Sequence, residues 1–277
     1  MKLKFAGIRR KTEFSPNHEV NDLLIINCTA ENLRKLGFTV ALYDEDGINA
    51  DTIDENVIFS MVQGPKGIQE LFKISERHSI IINSPQSVFS CYRSNMLDLL
   101  PQGGIPVPKS LLASTEIAIN GQINAFTSEK LWVKRSDVHA VRKEDVISIP
   151  ADKETISNTL KQFNDRDIKR VVLQEHITGD TVKFYAVRET EFFYWYYLEN
   201  PFQVKFDENR LRDIATASAE ILGLYVYGGD AIISPDGSIT VIDINDWPSF
   251  APIRDKASYY ISKLLLKKGR DFVNGRF

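Results

Sequence analysis

Along the first 84 residues, apolar runs of strand length alternate with amphipathic stretches of helical period. "LKFAGI" (3–8), "FTVALYD" (38–44), "VIFSMV" (57–62) and "SIIINS" (79–84) read as strands. Residues 17–36, closed by Gly37, and a short stretch near 65–77 read as helices. This alternation predicts a parallel sheet with covering helices. After Ser84-Pro85 comes a helix containing "YRSNMLDLL", then "GGIPVPKS", where Pro106 and Pro108 impose an extended path. "EKLWVKRS" and "DVISI" read as strands, 152–164 as an amphipathic helix, and "RVVLQEHI" as an apolar strand that turns polar at its end. "TVKFYAVR" and "EFFYWYYL" form a hairpin pattern, with the aromatic run Phe192–Tyr197 expected in its core. A helix over 207–222 ends at Gly223, two strands follow at 225–233 and 239–244, and "DKASYYISKLLLKK" closes as a helix. Breaks near 85–90 and 174–178 divide the chain into an α/β piece (1–88), a small α+β piece (89–174) and a C-terminal α+β piece (175–277).

The last two strands carry the first chemical signal. Asp236-Gly237 in "SPDGS" is a two-residue hairpin signal. If these two residues are the loop, Pro235 faces Ser238 and Asp230 lies directly opposite Asp243, with Asn245 on the same face. Opposed residues have Cβ atoms roughly 4.5–5.5 Å apart, so two carboxylates there repel and demand a cation between them. Two aspartates and an asparagine offer hard oxygen ligands, the set Mg²⁺ prefers when substrate phosphates complete its shell. The alternative, a solvated hairpin with two surface aspartates, fits less well with "AII" and "TVI", which look buried on both faces. A longer turn would shift this register.

Composition narrows the class without naming a function. The 277 residues are 43% hydrophobic and 26% charged with net charge −3, an ordinary globular balance with no general basic face for nucleic acid. Cys28 and Cys91 have no ligand-like spacing and are expected reduced, which with an N-terminal strand too short and charged for a signal peptide suggests a cytoplasmic setting. No apolar run reaches the roughly 18 residues of a membrane span.

Further candidates lie on the other strands. Lys134 ends "LWVK" and suits a phosphate, although such a lysine is also common at a surface. In "LQEHITGDTVKF" the strand end exposes backbone groups able to read an adenine edge, Asp180 could bind ribose hydroxyls, and Lys183 lies three residues beyond; the plain alternative is a strand end with a turn at Gly179. A lysine on a strand, then "QEHI..GD..K", then "GGD", then "DIN", in that order, resembles the ATP-grasp superfamily from about residue 85 to the C-terminus, and the preceding α/β domain resembles the one that commonly precedes it. The resemblance implies an ATP-grasp fold, in which two α+β subdomains clamp ATP. It implies Arg93 and Lys134 at the nucleotide phosphates, the Glu175 and Ile177 backbone at adenine, Asp180 at ribose, and Asp230, Asp243 and Asn245 around two Mg²⁺ ions. The chain departs from the pattern in three places: "RSDVHAVRKEDV" lacks the usual glycines, "NDWPSF" replaces "N…PG", and Arg93 stands where a lysine is common.

For the reaction, the resemblance offers a carboxylate–amine ligase of the RimK and glutathione synthetase type, a small-molecule kinase of the inositol phosphate and diphosphoinositol branch, or a non-catalytic nucleotide-binding module. As a ligase, Arg254 would clamp the substrate carboxylate or acyl-phosphate. His139 and Lys183 would sit near the transferring phosphate, with His139 equally placed as a surface residue. Arg9 and Arg10, with Lys11, follow the first strand, where α/β domains place ligands, and would meet a small-molecule substrate. "EFFYWYYLENPF" carries no basic residue, which favours the ligase over a kinase acting on polyanions.

Overall fold

The computed structural model describes residues 2–15, 18–77, 79–116, 126–137, 142–198 and 202–275. Three four-stranded sheets organise them. The first is parallel, in order β2-β1-β3-β4, built from β1 (Phe5–Arg9), β2 (Val40–Asp44), β3 (Val57–Ser60) and β4 (Ile80–Ile82). Its helices are α1 (Glu19–Lys35) and α2 (Pro65–Ser75). The helix expected around "YRSNMLDLL" is two, α3 (Pro85–Ser90) and α4 (Arg93–Gln102), separated at Cys91-Tyr92.

The second sheet is antiparallel in order β5-β8-β6-β7, from β5 (Ser110–Ser114), β6 (Lys130–Arg135), β7 (Val146–Pro150) and β8 (Arg170–Glu175), and α5 (Lys153–Asp165) covers it. Strand β5 was not expected: "SLLAS" is too short to show a period and follows two prolines. The third sheet, β10-β9-β11-β12, is also antiparallel. It holds β9 (Asp180–Val187), β10 (Phe193–Tyr197), β11 (Val226–Ile233) and β12 (Ile239–Asp246), with α6 (Glu208–Leu222) on one face. Asp207 caps α6 by accepting from the Asn209 and Arg210 amides, and Gly223 ends it at φ +74°, a left-handed conformation that favours glycine.

Two helices cross the divisions drawn from the sequence. Helix α4 packs on α6 and the third sheet through Met96 and Leu100. Helix α7 (Arg254–Val273) returns to the first sheet, where Ala257, Ile261, Leu264 and Leu265 share a core with Ile25, Ile26, Leu33 and Phe59. The same core takes in Trp247 and Phe250 of the "NDWPSF" loop.

The hairpin turn corrects the expected one and still delivers the expected pairing. The loop spans 234–238: the Ser234 amide donates to the Ser238 carbonyl and the Gly237 amide to the Ser234 carbonyl. Ile233 therefore faces Ile239, and a regular ladder would put Asp230 opposite Ile242. A β-bulge between Asp230 and Ala231 moves the register by one residue, so Asp230 faces Asp243 after all. Ile242 is the extra residue, left without a partner in the pairing register.

Candidate active site

Cross-strand pairing orders the open face of the third sheet into rows. In one row Tyr196, Lys183, Asp230 and Asp243 lie side by side on β10, β9, β11 and β12. The next row, toward the first sheet, is Tyr194, Tyr185, Gly228 and Asn245. On the other side lie Thr181 and Ile232, with the Leu198 amide donating to the Thr181 carbonyl. Phe193, Trp195 and Tyr197 point to the opposite face and pack on the α6 core, Trp195 and Tyr197 against Phe206, while Phe192, Tyr194 and Tyr196 pack on the core shared with the first sheet, so the aromatic run is hairpin core as expected.

Two cations hold the carboxylates. Lys183 Nζ donates to Asp230 Oδ1 at 2.7 Å, and Arg93 Nη2 to Asp243 Oδ2 at 2.9 Å, with Arg93 and Asp243 only 10% and 14% exposed. Burial raises the Asp230 carboxyl, an effect the Lys183 charge opposes. Lys183 is itself held above its ordinary value: burial works against its charge, and Asp230, helped by Asp243, more than offsets this. Among the described residues no three His, Cys, Asp or Glu side chains form a metal cluster. The three oxygen-bearing side chains on two adjacent strands nonetheless fit a hard cation that also takes phosphate oxygens: Asp230 and Asp243 are directly opposed, and Asn245 lies two residues along.

The second sheet supplies the facing wall. Lys134 and Trp132 lie on one face of β6, and Gln174 on β8 pairs with Trp132. Lys134 is 6% exposed; its ammonium donates to Gln174 Oε1 at 2.7 Å and across the cleft to the Ile242 carbonyl at 3.3 Å. The bulge thus presents to the lysine a carbonyl of the residue it displaces. Burial lowers the Lys134 pKa to about 8; Asp243 and Asp230 pull it up and Arg93 pushes it further down.

Between the walls lies a cleft of about 360 Å³, lined at its more apolar end by Trp132, His176, Ile177, Leu198 and Ile232 and at its charged end by Arg93, Lys134, Asp230 and Asp243. The Trp132 indole donates to His176 Nδ1 at 3.1 Å. The Glu175 carboxylate turns away and accepts from the Thr127 amide and hydroxyl, while Glu175 and Ile177 both border the cleft. A second cavity of about 210 Å³ shares Arg93, Lys134, Gln174, Ile242 and Asp243 with it, so the Lys134 bridge stands between two chambers.

Other expected site residues lie elsewhere. Asp180 is 1% exposed; its Oδ2 accepts from the Val204 amide at 2.8 Å, and it does not line the cleft. Arg254 begins α7 and donates to Asn21 Oδ1 on α1 at 2.7 Å. Arg9 pairs with Asp44 at 3.0 Å, and Lys11 with Glu13 and Asp46. Arg10, expected at the substrate, is engaged within the protein. All three of its guanidinium nitrogens are used inside the protein: Nε donates to the Met61 carbonyl, Nη1 to Asp22 Oδ2 and Nη2 to the Trp247 carbonyl. His139 lies outside the described residues. Sequence reasoning missed Trp132, Gln174 and Ile242. The first two carried a signal: Trp132 precedes Lys134 by two on one strand, and Gln174 is a polar interruption in an apolar one.

No protein-family model matches the chain, and no curated protein matches it. Solved structures do. A D-alanine–D-alanine ligase from Coxiella burnetii is 14% identical with a TM-score of 0.73, over 99% of this chain and 97% of its own. The VanG D-Ala:D-Ser ligase from Enterococcus faecalis is 15% identical with a TM-score of 0.73, over 97% and 100%. The ATP-grasp ligase PsnB, complexed with a precursor variant, Mg and ADP, is 16% identical with a TM-score of 0.62, over 96% and 99%.

The chain has the ATP-grasp fold. The Lys134–Asp243 cleft lies between the second and third sheets. No helix among the described residues is long and apolar enough to cross a membrane.

Proposed function

We propose that this protein is a Mg²⁺- and ATP-dependent carboxylate–amine ligase of the RimK-like kind. The observation that carries this reading is the row order on the third sheet, from Ile232 through the Lys183–Asp230–Asp243 row to Tyr194, Tyr185 and Asn245. A nucleotide lying along it would have its base against Trp132 and Ile177, its phosphates under Lys134 and Arg93, and its terminal phosphoryl group over the carboxylate row. Asp230, Asp243 and Asn245 would hold the metal, which would neutralise charge on the transferring group. The chain's own part is positioning and electrostatics. Lys134 places a point charge on the phosphates, and Lys183 holds positive charge beside the metal row. The substrate carboxylate would take the phosphoryl group there, and an amine would then displace phosphate.

The acceptor side favours this reading over a kinase for polyanions. Tyr196 ends the carboxylate row, and beyond it stand the half-buried Tyr194 and the buried Tyr185, whose ring is tilted against Phe250 at 5.1 Å. The basic residues that a polyphosphate would need are paired elsewhere: Arg9 with Asp44, Arg10 with Asp22, Lys11 with Glu13 and Asp46. The solved structures of similar fold include ligases for D-alanine and a peptide precursor, which agrees with the reading. Incubation with γ-labelled ATP across small acids, amines and polyols tests it. Inorganic phosphate released only with acid plus amine supports the ligase. Label kept on an organic product would replace it with the kinase.

A further inference from the structure

The side chains that grip the loop after Asn245 come from the first sheet and from the turns just past its strands. Trp247 is fully buried in a left-handed conformation at φ +39°, and its ring stacks on Phe59 of β3 at 6.1 Å. Its amide donates to the Val226 carbonyl, and its own carbonyl accepts from Arg10 Nη2 at 3.3 Å. Gln63, just past β3, donates to Asp246 Oδ1 at 3.3 Å. Arg10 is in turn fixed by Asp22 of α1 at 2.9 Å, and both side chains are under a tenth exposed. A left-handed tryptophan has several easier conformations open to it. What keeps it in this one is the set of contacts around it, and the carbonyl held by Arg10 is two residues from Asn245.

We propose that Arg10 is a positioning residue for the metal site: by holding the Trp247 carbonyl against the first sheet it fixes where Asn245 stands relative to Asp230 and Asp243. The guanidinium fork suits this task because one planar group reaches three fixed acceptors at once, on α1, after β3 and in the loop. A lysine could keep the Asp22 pair and lose the three-way geometry. The inference rests on the reading of Asp230, Asp243 and Asn245 as metal ligands under the proposed function.

The test uses ADP and Mg²⁺ as probes, without turnover. ADP binding to the full chain is measured by calorimetry across a Mg²⁺ titration for wild type, Arg10→Lys and Leu33→Ala. The last variant loosens the fully buried core that α1 shares with Trp247 without touching the hydrogen bonds that hold the loop, and serves as a control for lost stability. Arg10→Lys is expected to raise the Mg²⁺ concentration for half-maximal enhancement about tenfold, the scale of one lost charge-assisted hydrogen bond. Its metal-free ADP affinity should stay at the wild-type value. Leu33→Ala should melt earlier and keep the wild-type Mg²⁺ midpoint. An unchanged midpoint in Arg10→Lys, or an equal shift in Leu33→Ala, overturns the proposal and leaves Arg10 as interface packing. Wild-type ADP binding indifferent to Mg²⁺ would instead overturn the metal-site reading, and this inference with it.

Discussion

Lys183 Nζ lies 2.7 Å from Asp230 Oδ1, on the neighbouring strand and in direct register with it. Arg93, entering from the first turn of α4, does the same for Asp243. The sequence implied that two facing carboxylates repel unless metal separates them, so that loss of one charge would leave the metal-free protein as stable or more so. The two ion pairs reverse that expectation. Removing one partner of a largely buried pair leaves the other charge uncompensated, at a cost of about 3–5 kcal/mol. Asp243→Asn should therefore lower the melting temperature without Mg²⁺ by several degrees and also remove metal-dependent ADP binding. Arg93→Met added to it should recover part of the lost stability and none of the metal response. A melting temperature unchanged in Asp243→Asn would mean that Arg93 finds an equivalent partner elsewhere.

Lys134 gives the site a pH signature. Its folded pKa, about 8, lies below the ordinary lysine value of 10.5 because burial disfavours the ammonium. Between these values the unfolded chain binds more protons than the folded one, so this group adds stability as pH rises through that window. Below pH 8 it carries the full penalty, about 3 kcal/mol. Lys134→Met should therefore melt higher than wild type at pH 7, with the difference closing toward pH 10. Nucleotide phosphates favour the charged form, so ADP binding should take up about one proton at pH 9 and almost none at pH 7. Calorimetry in buffers of different ionisation enthalpy measures this. Equal uptake in Lys134→Met would assign the proton to another group.

Much of this was legible because the strands and their periods are local. The parallel first sheet, the β9–β10 hairpin and the helices at 208–222 and 254–273 each follow from runs of apolar residues bounded by turn signals. The Asp230–Asp243 pairing was also correct, for a reason that was incomplete. The turn is longer than a two-residue loop, and the bulge restores the register. Its trace is in the sequence: Ile239 and Val241 keep period two into the core, and the next core residue is Ile244 rather than residue 243. What sequence could not give is which cation faces which anion. Trp247 is 237 residues from Arg10, and only the fold shows that the Arg10 guanidinium bonds Asp22 and the Trp247 carbonyl at once. Nor could it show that α7 packs on the first sheet as well as on the third, because an apolar helix face carries no address.

The nucleobase end of the cleft should be separable from the phosphate end. Trp132 stands on the same strand face as Lys134 and borders the apolar chamber with Ile177 and Leu198. Base–aromatic contact is worth about 1–3 kcal/mol. Trp132→Ala should weaken adenosine and ADP by the same factor, about tenfold or more, whereas Lys134→Ala should weaken ADP far more than adenosine. Parallel calorimetric titrations of the two ligands decide this. Equal losses for both ligands in the Lys134 variant would place that lysine outside the phosphate region.

The bulge offers a sharper test of how the cleft is built. Ile242 does two things: its carbonyl accepts from Lys134 at 3.3 Å, and its side chain borders both chambers. It does not set which carboxylates face each other. The 234–238 turn places residue 242 opposite Asp230, so deleting Ile242 moves the former Asp243 into that position on the same face. The deletion variant should fold with a regular ladder and keep its Mg²⁺-enhanced ADP binding. Lys134 would lose one of its two acceptors and the cleft one apolar wall, so ADP affinity should fall about tenfold at every Mg²⁺ concentration. Titration of ADP at zero and saturating Mg²⁺, beside a thermal melt, reads all three effects. If the deletion abolishes the Mg²⁺ enhancement while the protein stays folded, then the bulge itself shapes the metal site, and the register of Asp230 and Asp243 is not enough to make one.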